Sequence, residues 1–249
     1  VIDKIDITRF KKDIGVKTQI HKVALFFKEN MNLLDKDIII ADFEFTTQYN
    51  IYEITVMKVK NGKIIDIWFE EFKVPPSDTI FDFNVKRPIR LPGGFNSNKN
   101  EFTKEKQNKL ISVIEESDFF VAHNYIAEMQ CIHKLKFPEL KYDVLNIELY
   151  NQGKIICTNK SFNNKHFKQL DIFNNGFSNE NVSNSLGWSI EYKKEDKLFI
   201  LSNNRTGVSI EVDKLPENFI KSKTSVGIHN SLFDTLITYT SFLSLEEFI

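Results

Sequence analysis

The spacing of apolar residues changes character along the chain, and each change marks a different element. Over residues 1–36, Ile20, Val23, Ala24, Phe27 and Met31 recur at three- and four-residue steps with lysines between them, so an accessory N-terminal helical segment is expected. From residue 37 the pattern is that of a sheet. The run DIIIADFEF (37–45) is short, β-branched and closed by acids, as a buried strand would be. Residues 52–60 alternate, Asn61-Gly62 is a hairpin signal, and 63–75 supplies a returning strand until Pro75-Pro76 stops it. A three-strand antiparallel meander is therefore expected to open the sheet. Residues 77–100, with Pro88, Pro92 and Gly93-Gly94, read as a loop.

Downstream, the periodicity predicts a helix over 104–117, a fourth strand over 118–124 and a helix over 125–136 capped by Asn124. A short strand is expected at 154–158. Two alternating runs between 186 and 213, separated by Asn203, Asn204 and Gly207, predict an inserted hairpin. A closing helix is expected over 231–242, with Ser231-x-x-Asp234 as a capping box. The sum is an α/β fold: a mixed β-sheet flanked by helices.

Composition narrows the class without choosing a function. A chain of 249 residues with 41% apolar content can bury a full core, either as one elaborated domain or as a domain with a small appendage. No run approaches about 18 uninterrupted apolar residues, and the first residues alternate charge with apolar side chains. Membrane and secretory readings are set aside on that basis, and a cytoplasmic setting is expected. Cys131 and Cys157 form no C-x-x-C pair, so neither a zinc site nor a disulfide framework is expected. With a net charge of -1, binding to nucleic acid has to come from local patches. Candidates are Lys86, Arg87 and Arg90, and Lys160, Lys165, His166 and Lys168 with Phe162 and Phe167 among them.

Asp42-Phe43-Glu44 carries the most chemical information. On a strand, positions i and i+2 share a face, so the two carboxylates project together while Phe43 enters the opposite layer. Neighbouring unneutralised carboxylates repel, and a divalent cation with a preference for hard oxygen ligands, Mg2+ or Mn2+, relieves that repulsion. Further acids follow at Glu128 and Asp234, the latter five residues after His229.

These residues fall in three stretches, ADFEFT (41–46), HNYIAE (123–128) and HNSLFD (229–234), which resemble the motifs of the DEDDh class of 3′-to-5′ exonucleases. That family includes proofreading exonuclease domains and the RNase T and oligoribonuclease relatives. The resemblance spans about residues 37–245 and implies an RNase H-like fold over 37–249. It makes Asp42, Glu44, Glu128 and Asp234 the ligands of two Mg2+ or Mn2+ ions and His229 the general base. The implied reaction is hydrolysis at the single-stranded 3′ end of DNA or RNA, releasing nucleoside 5′-monophosphates. The main chain at Phe45 and Thr46 would approach the terminal sugar, with Phe45 placed to stack on a base.

The family has Asp where this chain has Glu128, often Phe where it has Ala127, and Thr-Thr-Gly where it has Phe45-Thr46-Thr47. These departures motivate an alternative: a catalytically weakened nucleic-acid-binding or polymerase-associated module, with a polymerase or another protein as partner.

Overall fold

The computed structural model describes residues 33, 35–82, 87–89, 96–138, 154–162, 178–221 and 230–247. The accessory segment expected over 1–36 lies almost wholly outside them. So do His229 and most of the two cationic patches, namely Lys86, Arg90, Lys165, His166, Phe167 and Lys168.

The protein is mixed α/β. Strands β1 (Ile38–Phe45), β2 (Ile51–Lys60) and β3 (Lys63–Glu71) form the expected antiparallel meander. Asn61 and Gly62 turn β2 into β3 with φ of 50° and 71°, the doubly left-handed geometry that an Asn-Gly pair tolerates. β3 ends at Glu71, before the proline pair at which it was expected to stop. Beyond it the Phe72 N–H still donates to the Tyr52 carbonyl at 2.7 Å, and Lys73 bridges to Glu101. The expected loop over 77–100 contains a short antiparallel ribbon, β4 (Ile80–Asp82) with β5 (Arg87–Ile89). Strands of three residues are too short to show an alternation.

Helix α1 (Lys104–Glu116) leads into β6 (Phe119–Ala122), and α2 (Tyr125–Lys136) follows. Asn124 stands at the N-cap position of α2, but its side chain makes no capping hydrogen bond. β7 (Ile155–Cys157) and the short α3 (Thr158–Phe162) come next. β6 pairs parallel with β1, and β7 parallel with β6, giving one five-stranded sheet of order β3-β2-β1-β6-β7.

The remainder builds a second layer. After α4 (Asn179–Ser185), the expected hairpin is a three-stranded antiparallel sheet of β8 (Trp188–Lys193), β9 (Leu198–Asn203) and β10 (Ser209–Val212). The extra turn, 194–197, is made of charged residues with Lys197 at φ 54°, so no Gly or Asn announces it. α5 (Glu217–Lys221) precedes the closing helix α6 (Ser231–Glu247), which runs a full turn past its expected end.

Alternation in β1 divides the core. Ile39, Ala41 and Phe43 pack with Leu110 and Ile114 of α1 and with Tyr125, Met129 and Ile132 of α2. Ile38 and Ile40 point the other way, into a cluster with Leu232, Leu236, Tyr239 and Phe242 of α6 and with Trp188, Phe199 and Leu201 of the second sheet. Asp42 and Glu44 continue this second face, so the strand that anchors the core also aims both acids towards α6.

Candidate metal centre

α6 starts at the point where β1 runs out of apolar residues. Its N-cap is Asn230, whose Oδ1 accepts from the Phe233 N–H at 3.1 Å, while the Asn230 carbonyl accepts from the Asp234 N–H at 2.9 Å. The N-cap therefore lies one residue before the expected Ser231, and with Phe233 at the third helical position the expected capping box does not form. Ser231 is the first helical residue, and its N–H donates to Glu53 Oε1 at 2.7 Å. Released from a capping role, Asp234 turns to the acids of β1. Carboxylate oxygens of Asp42, Glu44 and Asp234 all lie within 4.8 Å of one another, so these half-buried side chains can hold a metal ion. A hard divalent cation takes oxygen ligands at about 2.0–2.6 Å, so a group this tight needs only small side-chain movements to close around one.

Glu128 sits in the first turn of α2 and is buried. Its Oε2 has no hydrogen-bond partner, which is costly for a carboxylate so deeply placed. It stands outside the three-acid group but acts on it, because its charge helps raise the pKa of Asp42 and the charge of Glu44 raises its own. Burial is the larger cause throughout. It pushes Glu128 up to about 8 and Glu44 up to about 7, and it raises Asp42 well above the carboxylate range, with Asp234, Glu44, Glu128 and Glu53 adding repulsion. Three acids that cannot comfortably ionise together, beside a fourth with an orphaned oxygen, make a group suited to a divalent cation.

Around this centre the sequence reading missed several groups. Between Glu44 and Phe45 the β1–β2 register slips, and Tyr52 is the extra residue on β2. The bulge brings the Tyr52 hydroxyl to Glu44 Oε2, to which it donates at 3.2 Å. Glu53, directly opposite Glu44, is buried in the same strand. Its sequence signal was available: Glu53, Thr55, Met57 and Val59 alternate in phase, which places an acid on a buried face.

The turn after β1 is knotted by Thr46. Its Oγ1 donates to Asp78 Oδ2 at 2.9 Å and accepts from the N–H groups of Asn50 and Gln48, while its own N–H donates to the Asn50 carbonyl at 2.9 Å. Thr46 is thus turned inward. On the outer side of the turn Tyr49 is exposed and stacks on Phe45, which is partly buried against the core shared with α1 and α2, with ring centroids 5.5 Å apart. At the neighbouring strand ends the His123 ring lies 2.9 Å from Thr158 Oγ1 and 3.3 Å from Asn159 Nδ2, beside the end of β6. Cys131 and Cys157 are buried, and the Cys157 thiol donates to the His123 carbonyl at 3.1 Å. Arg87 is exposed on the ribbon.

No helix among the described residues is long and apolar enough to cross a membrane. No protein-family model matches the chain, and no curated protein matches it significantly.

Proposed function

We propose that the chain is a metal-dependent 3′-to-5′ exonuclease that removes nucleoside 5′-monophosphates from the single-stranded 3′ end of DNA or RNA. The observation that carries this reading is the convergence of Asp42, Glu44 and Asp234, from the first strand and the last helix, with the unpartnered Oε2 of Glu128 beside them. A meander followed by two parallel strands agrees with the fold that the three motifs imply.

In this reading Asp42, Glu44, Glu128 and Asp234 hold two Mg2+ or Mn2+ ions. When bound, such ions supply positive charge that stabilises the attacking and leaving oxygens at a phosphodiester. His229, the residue before the α6 cap, takes the proton of the attacking water, and the 3′ oxygen of the shortened strand leaves. An imidazole whose ordinary pKa is about 6.5 suits that task near neutral pH. Phe45, backed by Tyr49, offers a flat face for the terminal base.

The test is an assay on 5′-labelled single-stranded DNA and RNA with Mg2+ or Mn2+. Stepwise shortening from the 3′ end, with mononucleotide product and loss of turnover in Asp42→Ala, is expected. Absence of metal-dependent products on both strands overturns the reading.

A second reading, a nucleic-acid-binding module with a weakened centre, draws on the placement of Glu128 outside the three-acid group. It predicts strand binding without turnover, and recovery of turnover in Glu128→Asp.

A further inference from the structure

A transverse row of acids crosses the meander. Glu44 on β1 pairs with Glu53 on β2, and Glu53 pairs with Glu71 on β3. Like charges directly opposite one another on antiparallel strands destabilise the pairing. Glu71 is offset by an ion pair with Lys99, but Glu53 is 3% exposed and lies in a central strand where an apolar residue would pack without penalty. Burial is the largest cause of its raised pKa, whereas the Ser231 N–H and hydroxyl favour its charged form. A local choice this unfavourable is expected where function demands it.

What the carboxylate holds is the start of α6. Its Oε1 accepts from the Ser231 N–H at 2.7 Å, one of the helix N-terminal donors that no intrahelical carbonyl can satisfy. A negative group at this end also complements the helix dipole. The grip is doubled one pair further along β2, where Thr55 Oγ1 lies 2.8 Å from Ser231 Oγ. Thr55 is itself the cross-strand partner of Asp42, so β2 ties the first residue of α6 to the strand position beside the first acid. Ser231 and Asp234 are three residues apart and share a helix face. Fixing one therefore fixes the direction of the other. Glu53 is not among the acids grouped closely enough to share an ion.

We propose that Glu53 is a positioning residue of the acidic centre: by accepting the Ser231 N–H it docks the first turn of α6 on β2 and sets where Asp234 meets Asp42 and Glu44. The functional consequence rests on the metal-centre reading, but the docking itself can be measured without metal.

Four variants separate the hydrogen bond from the charge. Glu53→Ala removes both, and Glu53→Gln keeps an acceptor without charge. Ser231→Pro removes the N–H at a first helical position that accommodates proline. Ser231→Ala keeps that N–H and removes the hydroxyl. Two readouts are taken on the full chain: hydrogen–deuterium exchange of the first-turn amides of α6 in metal-free protein, and Mn2+ affinity by calorimetry. Glu53→Ala and Ser231→Pro are expected to speed that exchange and to weaken Mn2+ binding by about tenfold or more, the usual cost of losing a group that orients a ligand. Glu53→Gln should stay much closer to the parent in both, and Ser231→Ala, which loses the hydroxyl contacts to Thr55 and Glu53 but keeps the N–H, should be less impaired than Ser231→Pro.

Unchanged exchange in Glu53→Ala and Ser231→Pro overturns the proposal. So does a Glu53→Gln variant as impaired as Glu53→Ala, since charge would then be the active property. If Glu53→Ala does not fold, the contrast between Ser231→Pro and Ser231→Ala decides. A parent protein that binds no Mn2+ overturns the metal-centre reading, and the exchange pattern still decides whether Glu53 holds the helix.

Discussion

Glu128 shows most clearly how one residue links folding to chemistry. It is buried with an oxygen unpartnered, and that burial pushes its carboxyl up to about 8. In the unfolded chain the same group would titrate near its ordinary value of 4.5. Between those values the folded state binds more protons than the unfolded state, so stability falls as pH rises. Below pH 4.5 both states are protonated and the penalty is absent; above about 8 it is complete. Glu44, at about 7, and Asp42 act in the same direction. The metal-free protein should therefore melt at a lower temperature at pH 8 than at pH 5, and Mn2+ should raise the melting temperature more at pH 8. A thermal-shift series over pH with and without Mn2+ checks both statements.

Glu128→Gln should raise the metal-free melting temperature at pH 8 and raise it far less at pH 5, while weakening Mn2+ binding. Stabilisation bought at the expense of the site is the expected trade when a strained charge is removed.

At the scale of elements, the closing helix carries the most consequence. Asn230→Ala removes the acceptor of the Phe233 N–H and should cost about 1 kcal/mol, read as a lower denaturation midpoint with an unchanged slope. This cap was illegible because two polar residues, Asn230 and Ser231, stand together and either can cap. The choice was made by Glu53, a residue far away in sequence that claims the Ser231 N–H. Strands β1 and β2 were legible because a buried strand needs apolar residues at period two and an Asn-Gly turn needs no tertiary help. The turn at 194–197 was not, because its left-handed residue is a lysine and its register is set by β8 and β9 closing around it. Asp42 and Glu44 were legible for the same reason as the strand that bears them. Glu53 was passed over because acids were sought at strand ends, whereas it sits inside a strand.

At the scale of the whole molecule, the region expected to be an inserted hairpin belongs to the same core as the sheet that carries the acids. Trp188, Phe199 and Leu201 share one apolar cluster with Ile38, Ile40 and Phe69, and Trp188 Nε1 donates to Ser244 Oγ of α6 at 2.8 Å. The chain's two tryptophans fall one in each sheet, Trp68 on β3 and Trp188 on β8. Single-tryptophan variants made with Trp68→Phe and Trp188→Phe should each show a fluorescence transition that coincides with loss of far-UV dichroism. Separate midpoints would mean that the second sheet unfolds by itself. Trp188→Ala should cost about 3–5 kcal/mol, because it empties a buried site and removes the indole N–H that donates to Ser244 Oγ.

The chain thus places acids from its first strand, from the helix after β6 and from its last helix at one end of a mixed sheet. The most direct measurement of whether that is a metal centre is calorimetric titration of the intact chain with Mn2+ at pH 8, beside Asp42→Ala and Asp234→Ala. Saturable binding by the parent, lost in both variants while their folds persist, is predicted. Equal binding by all three proteins, or none by the parent, would contradict it.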